Sequence, residues 1–298
     1  MMKRKVENLE KKIGTANLSQ AGLIWYRFKK NKLAVFGLVA LIVIIVICFT
    51  SPLYISYKED VIQQNLIEAY QEPSLDHFFG TDMFGRDLFS RIMYGGIISL
   101  SCGLAVVVMA LGLGIFFGGI AGYYGGKIDF VIMRVMDIFM SIPFLLMTMT
   151  LIVAFGKSTF SMLAALSITM FPGMARLVRS SILTIIENEY IDACKCYGCP
   201  AWKILIKHIL PNGIGPVVIT ATLMLGSTIL AIAGLGFLGI GISAPTPEWG
   251  TILSEARSDI RYYPYLGIIP GVAIGISVLC INFIGDGFRD ALDPRTKK

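Results

Sequence analysis

The chain is short of charge, nearly without histidine, and free of any disulfide pattern. Asp, Glu, Lys and Arg make up 15% of its 298 residues, and there are two histidines. A soluble domain carries roughly 25% charged residues, so the composition argues against an ordinary water-soluble fold. No series of buried acids or histidines crosses the apolar regions, which disfavours a proton-driven carrier, although ion coupling through backbone carbonyls would leave no such trace. The six cysteines give no framework: Cys48, Cys102 and Cys280 lie in apolar runs, where a thiol behaves as a small hydrophobe. A phosphate loop is missing too. The nearest approach, AGYYGGKI from Ala121 to Ile128, has Ala for the first Gly and Ile for the Ser or Thr, and it follows an apolar run instead of a strand. No residue is therefore expected to be catalytic and none to bind metal.

What the chain does have is apolar length. It is 55% hydrophobic with a mean hydropathy of +0.71. A helix needs about 20 residues to cross a ~30 Å hydrocarbon core. Six segments qualify: 33–51, 97–121, 131–155, 160–179, 214–242 and 266–285. The expected fold is all-α, a polytopic membrane protein of six transmembrane helices. The run from Leu33 to Phe49 lacks a small-residue cleavage site and reads as a retained span, not a signal peptide. The net charge of +6 comes largely from nine Lys/Arg in the first 32 residues, set among Trp25, Tyr26 and Phe28. That is the makeup of a segment lying on anionic lipid, and no nucleic-acid partner is expected.

Six spans put both termini on one side. That side carries 20 Lys/Arg and the other six, namely Lys58, Arg86, Arg91, Lys157, Arg257 and Arg261. The positive-inside rule places both termini in the cytosol of a cell-membrane protein. The chain then divides into a basic cytosolic segment (1–32), the first span (33–51), an extracytoplasmic loop (52–96), a five-helix core (97–285) and a cytosolic tail (286–298). In the loop, Phe84, Leu88, Phe89 and Ile92 recur at helical spacing, predicting an amphipathic helix along the outer interface. Gly114, Gly118 and Gly122 leave one helix face bare for close packing. Pro143 and Phe171-Pro172-Gly173 predict kinks, and AGLGFLGIG at 233–241 a broken or closely packed helix end. The acid within a span, Asp137, stands beside Arg134 and reads as a snorkelling pair.

Between the fourth and fifth spans lies a polar island, Glu189 to Pro211, within a cytosolic loop at 187–211. Tyr190, Ala193, Cys194 and Tyr197 share one helix face, and Glu189, Asp192 and Lys195 the other. Gly198 suits the left-handed position that ends a helix, and Pro200 the first turn of the next, which carries Trp202, Ile204 and Ile209 and stops at Pro211. Such a helix–turn–helix is either an ordinary amphipathic loop or a short helix presented to a groove on a partner. Cys194, Cys196 and Cys199 with His208 invite a metal reading. Helical residues two apart point about 200° away from each other, so free thiols are the better reading.

The island resembles the coupling loop of ABC-type importer permeases, whose pattern is Glu-Ala-Ala, three residues, Gly, nine residues, then Ile-x-Leu-Pro. Here it reads Asp192-Ala193-Cys194, Gly198, His208-Ile209-Leu210-Pro211. Asp for Glu keeps the charge, and Cys for Ala is small. Residues 79–96, 237–250, 282–295 and 25–38 narrow the resemblance to dipeptide/oligopeptide importer permeases, the second of their two permease subunits. A nickel-importing branch shares these motifs. Many members carry an acid where this chain has Ile232.

The resemblance implies a type I ABC importer permease. Its partners would be a homologous second permease, two cytosolic ATPases that hold ATP and Mg, an extracytoplasmic solute-binding protein and a peptide substrate. It implies ATPase coupling through Glu189, Tyr190, Asp192, Ala193, Cys194, Tyr197, Gly198, Leu210 and Pro211. It also implies binding-protein or outer-gate contacts at Asp82, Arg86, Asp87, Pro245, Pro247 and Trp249, and a docking tail with Asp286, Arg289 and Asp290. A nickel importer permease is the alternative reading. A stand-alone channel or ion-coupled carrier is a third.

Overall fold

The computed structural model describes residues 20–292, and those residues form helices joined by loops, with one isolated bridge between Thr81 and Asp87. The α-helices are α1 (Gln20–Phe28), α2 (Lys32–Thr50), α3 (Leu88–Tyr124), α4 (Gly126–Ser141), α5 (Phe144–Phe155), α6 (Thr159–Leu183), α7 (Glu189–Cys196), α8 (Ala201–Ile204), α9 (Leu210–Phe237), α10 (Trp249–Glu255) and α11 (Tyr265–Leu292). Several begin on caps the sequence supplies. The Asn31 side chain accepts from the Leu33 and Ala34 amides at 3.1 Å, and Asp87 accepts from the Ser90 amide at 2.8 Å.

Five stretches are long and apolar enough to cross a membrane: Lys32–Leu53, Leu88–Tyr124, Thr159–Leu183, Ala201–Phe237 and Tyr265–Leu292. The sixth, expected as one helix over 131–155 with a kink, is instead two helices, α4 and α5, meeting at 95°. Proline removes a backbone donor and forces the preceding residue out of the helical region. Ile142 is accordingly extended, at φ −89° and ψ 129°, and Pro143 stands just ahead of α5.

Helix α3 is the spine. Gly114 lies against Met174, Gly118 against Ala175 and Gly122 against Ile182, so α6 rests directly on α3 along the bare glycine face. Helix α9 packs beside α6, with Ile229 filling the space at Gly103. Helix α11 crosses α9 and α2, and Gly37 of α2 sits against the Cys280 carbonyl.

Three boundaries differ from expectation. Residues 84–92 do not form a helix of their own: Leu88 and Ile92 are buried in the core, and α3 starts at Leu88 and runs on through the span. The left-handed Gly85 and the Asp87 cap turn the chain straight into the bundle. The fifth span ends at Phe237, short of 242, because Gly239 takes φ +74° and closes a Schellman cap: Ile240 N–H donates to Leu235 O at 3.0 Å and Gly239 N–H to Gly236 O at 2.9 Å. Finally, 286–292 are not tail but the last two turns of α11.

Candidate coupling site

Helix α7 carries Glu189 and Asp192 in its first turn and Lys195 in its last, each placed favourably for the helix dipole. Asp192 and Lys195 pair at 2.9 Å on the open surface. One side chain seats the helix. Ile191 is fully buried, in the cluster formed by Val178, Ile182 and Ile185 below it and Ile204, Ile209 and Val217 beside it. Cys194, three residues on, covers the same cluster. Neither face drawn from the sequence contained Ile191, although the i, i+3 pairing of Ile191 with Cys194 is the signal for it. Tyr190, Asp192, Ala193 and Tyr197 all face outward, and Tyr197 is 89% exposed.

The turn after α7 is the one Gly198 predicts. Its φ is +71°; its N–H donates to Lys195 O at 2.9 Å, and Cys199 N–H donates to Cys194 O at 3.1 Å, a Schellman cap. Pro200 directly precedes α8. The second helix does not stop at Pro211. A π-turn at Leu205–Ile209 joins α8 to α9, and Leu210 and Pro211 open α9 in its first turn, where a proline needs no donor. The Asn212 amide donates to His208 O at 2.7 Å and to the Tyr190 hydroxyl at 3.4 Å, tying α7 to the base of α9. Cys194, Cys196 and Cys199 are free thiols; the first and last lean on the apolar cluster while Cys196 is exposed. Among the described residues no three metal-ligating side chains converge.

At the opposite end of the bundle most of the expected contact residues are turned inward. Asp82, Arg86, Pro247 and Trp249 are buried in the chain itself, and Pro245 alone of the six is exposed. Asp82 holds Arg86 at 2.7 Å and Arg91 at 2.6 Å; Glu255 of α10 holds the same two guanidinium groups at 2.9 and 2.6 Å. Asp87 caps α3 and meets the His77 ring at 3.0 Å. The Trp249 indole N–H donates to Ile92 O at 2.9 Å. Beside it the fully buried Glu248 accepts from the Ser99 hydroxyl at 3.0 Å and the Thr251 amide at 2.9 Å. The pairing of Glu255 with Arg86 and Arg91, and of Glu248 with Ser99, escaped sequence reading because these contacts span 149 to 169 positions, and no spacing rule reaches so far. In the same loop region, burial and a hydrogen bond to Asp259 push the Tyr70 phenol above its ordinary range.

Three further placements bear on function. The α11 end is held by the N-terminal helix: Asn31 donates to Asp290 at 2.9 Å, Arg27 to Ala291 O at 3.3 Å, and Phe28 meets Phe288 at 5.0 Å, leaving Asp286 and Arg289 exposed. Ile232 is buried among Val106, Met162 and Leu166. Asp137 lies 3.6 Å from Arg134, but its short bond, at 2.6 Å, is to Arg176 of α6.

Comparison with known proteins decides the family. Residues 114–298 match the model for the binding-protein-dependent transport system inner membrane component, and residues 19–73 match the N-terminal TM domain of oligopeptide transport permease C. The chain belongs to the first of these families. It is an ABC transporter permease and not an enzyme. The dipeptide transport system permease protein DppC of Alkalihalophilus pseudofirmus is 44% identical over 91% of this chain and 88% of its own length. The oligopeptide transport system permease protein OppC of Bacillus subtilis is 38% identical over 96% and 93%. Inward-facing MetNI, a methionine ABC transporter, shares the fold at TM-score 0.52 and 22% identity, covering 68% of this permease and 98% of that chain. The all-α membrane architecture of a type I importer permease is thus the architecture seen here.

Proposed function

We propose that this permease is one of two membrane subunits of an ATP-driven, binding-protein-dependent peptide importer, and that α7 is where it receives work from an ATPase. The observation that carries the reading is the seat of α7. Ile191 locks the helix to the lower ends of α6 and α9, while Tyr190, Asp192, Ala193 and Tyr197 stay uncovered. A short helix fixed on one side and bare on the other suits insertion into a partner's groove, and its rigid mount suits transmission of a rigid-body movement.

In this reading Glu189, Cys194, Gly198, Leu210 and Pro211 shape and hold the element rather than touch the partner. ATP and Mg sit on the partner subunits. Both termini and α7 lie in the cytosol, and Pro245 with the exposed loop around it meets the solute-binding protein. Asp286 and Arg289, exposed at the α11 end, form a second ATPase contact. Peptides are favoured over nickel because the relatives at 37–44% identity are named for dipeptides and oligopeptides.

The test is uptake in cells carrying the whole transporter with residues 189–198 of this chain replaced by a Gly/Ser linker. Loss of labelled-peptide uptake, with the permease still in the membrane and the ATPases no longer copurifying, is expected. Normal uptake would sink the proposal. Growth rescue by nickel, with no peptide uptake by the unaltered transporter, would move the cargo to the metal branch.

A further inference from the structure

The bundle has two exposed faces of opposite chemistry. Helix α6 turns Met174, Ala175, Val178 and Ile182 towards the glycine face of α3, and α9 turns Leu225 and Ile229 towards Gly103 of α3. Roughly half a turn away, at 100° per residue, both helices expose a second set. On α6 these are Gly173, Arg176 and Ser180; on α9 they are Thr220, Ser227 and Gly234, recurring every seven residues, with one large apolar side chain, the 58% exposed Leu230, set between the last two. A Cβ added at Gly173 or Gly234 would meet nothing within 4 Å. On the far side α3 exposes Leu104, Val108 and Phe116, with Ser101 and the open Gly112 in the same row. Large apolar side chains suit hydrocarbon, and they dominate that row, whereas the α6 and α9 stripe carries three polar side chains and a guanidinium group.

Charge separates the faces further. Arg176 donates to Asp137 at 2.6 Å, and both side chains are nearly half exposed, at 49% and 45%. Arg134 is 3.6 Å from the same carboxylate. Two guanidinium groups share one acid, leaving one positive charge over. A charged group set against lipid at the centre of a span costs about 2.5–3.5 kcal/mol, so a half-exposed cluster of three such groups suits a water-filled surface better than a lipid one.

We infer that the stripe of Gly173, Arg176, Ser180, Thr220, Ser227 and Gly234, bordered by Asp137, is a wall of the water-filled path through the transporter, and that the Arg176–Asp137 pair screens what passes by charge. The inference deepens the importer reading and rests on it. Water and a solute with an anionic group, such as a peptide carboxylate, are its occupants; lipid and a dry subunit contact are the alternatives.

The experiment uses the complete transporter in membranes with its native cysteines kept, and the labelling of the unaltered transporter is subtracted as background. Single substitutions Gly173→Cys, Ser180→Cys, Thr220→Cys and Ser227→Cys are compared with Val108→Cys and Phe116→Cys. Probes are a lipid-soluble maleimide and two membrane-impermeant methanethiosulfonates, one anionic and one cationic. The four stripe positions should react with the impermeant reagents, at rates that change between nucleotide-free and vanadate-trapped transporter. The two α3 positions should react with the maleimide alone. Stripe positions reacting only with the maleimide, or with nothing in any state, overturn the path.

The charge screen is read at Gly173→Cys as the anionic-to-cationic rate ratio. A unit charge about 4 Å away in water is worth ~1 kcal/mol, or about fivefold. Asp137→Asn should speed the anionic reagent and slow the cationic one about fivefold each, raising the ratio about 25-fold, and Arg176→Gln should lower it as much; a ratio unmoved by both overturns the screen. Labelling slowed by peptide supports the cargo as well. The same labelling pattern with no peptide protection would leave the path standing and remove the peptide reading.

Discussion

Gly118 of α3 and Ala175 of α6 touch backbone to backbone: a Cβ added at Gly118 would lie 2.3 Å from the Ala175 carbonyl oxygen. The oxygen belongs to a helix and cannot rotate away. Overfilling a packed interior costs about 1–3 kcal/mol, so Gly118→Ala should lower the thermal inactivation temperature of the purified transporter. Gly112→Ala, where an added Cβ meets nothing, is the matched control and should leave it unchanged.

Ile191 and Tyr197 lie six residues apart and do different work. Ile191→Ala empties a buried site and should cost about 2–5 kcal/mol of local stability. Proteolysis of the 189–199 segment should quicken, and peptide uptake should fall. Tyr197→Ala removes an exposed ring, so the segment should stay protected while ATPase copurification weakens. Equal protease sensitivity in the two variants would contradict the seat assigned to Ile191.

Gly198 holds φ +71° with open space around it. The strain of any Cβ there is conformational, about 1–2 kcal/mol for a left-handed residue. Gly198→Ala should reduce uptake and loosen α7, measured by amide hydrogen exchange at 189–199. Gly198→Asn should do less, since Asn tolerates that region better.

Arg91 is almost fully enclosed and bridges Asp82 and Glu255. Removing one partner of a buried charge group costs about 3–5 kcal/mol. Arg91→Met should therefore yield little folded protein, scored by size-exclusion of the detergent extract. Adding Glu255→Met should recover part of the loss, because it removes one of the stranded carboxylates.

How much of this was readable beforehand follows the range of the forces involved. Local chemistry was legible. Asn31, Gly198 and the Gly114–Gly118–Gly122 ladder act within a turn or along one face, and each does what its spacing says. Apolar length gave five spans directly. The sixth is a bent pair broken at Pro143, where the sequence shows the break but not its angle. Burial of charge was invisible: Arg86 and Arg91 counted as outer-loop positives, and although Asp82 stands four residues before Arg86, nothing local reveals that Glu255 closes the group from the other side. Asp137 was matched to its neighbour in sequence when its short bond reaches 39 positions ahead to Arg176. The helix and turn at 189–199 were legible in their polar island and punctuation, while the anchor, Ile191, hid among residues chosen for their surface character.

The uninterrupted helical stretch from Ala201 to Phe237 is 37 residues long, or roughly 55 Å at 1.5 Å per residue. It begins one turn beyond the α7 cap and ends at the glycine-rich corner packed on α10. A rod of that length is a lever. Tilting it by about 5° about one end sweeps the other through roughly 5 Å, close to the width of a peptide backbone. The π-turn at Leu205–Ile209 joins α8 to α9 without a break, so the polar island and the far end of the bundle are the two ends of one helical rod.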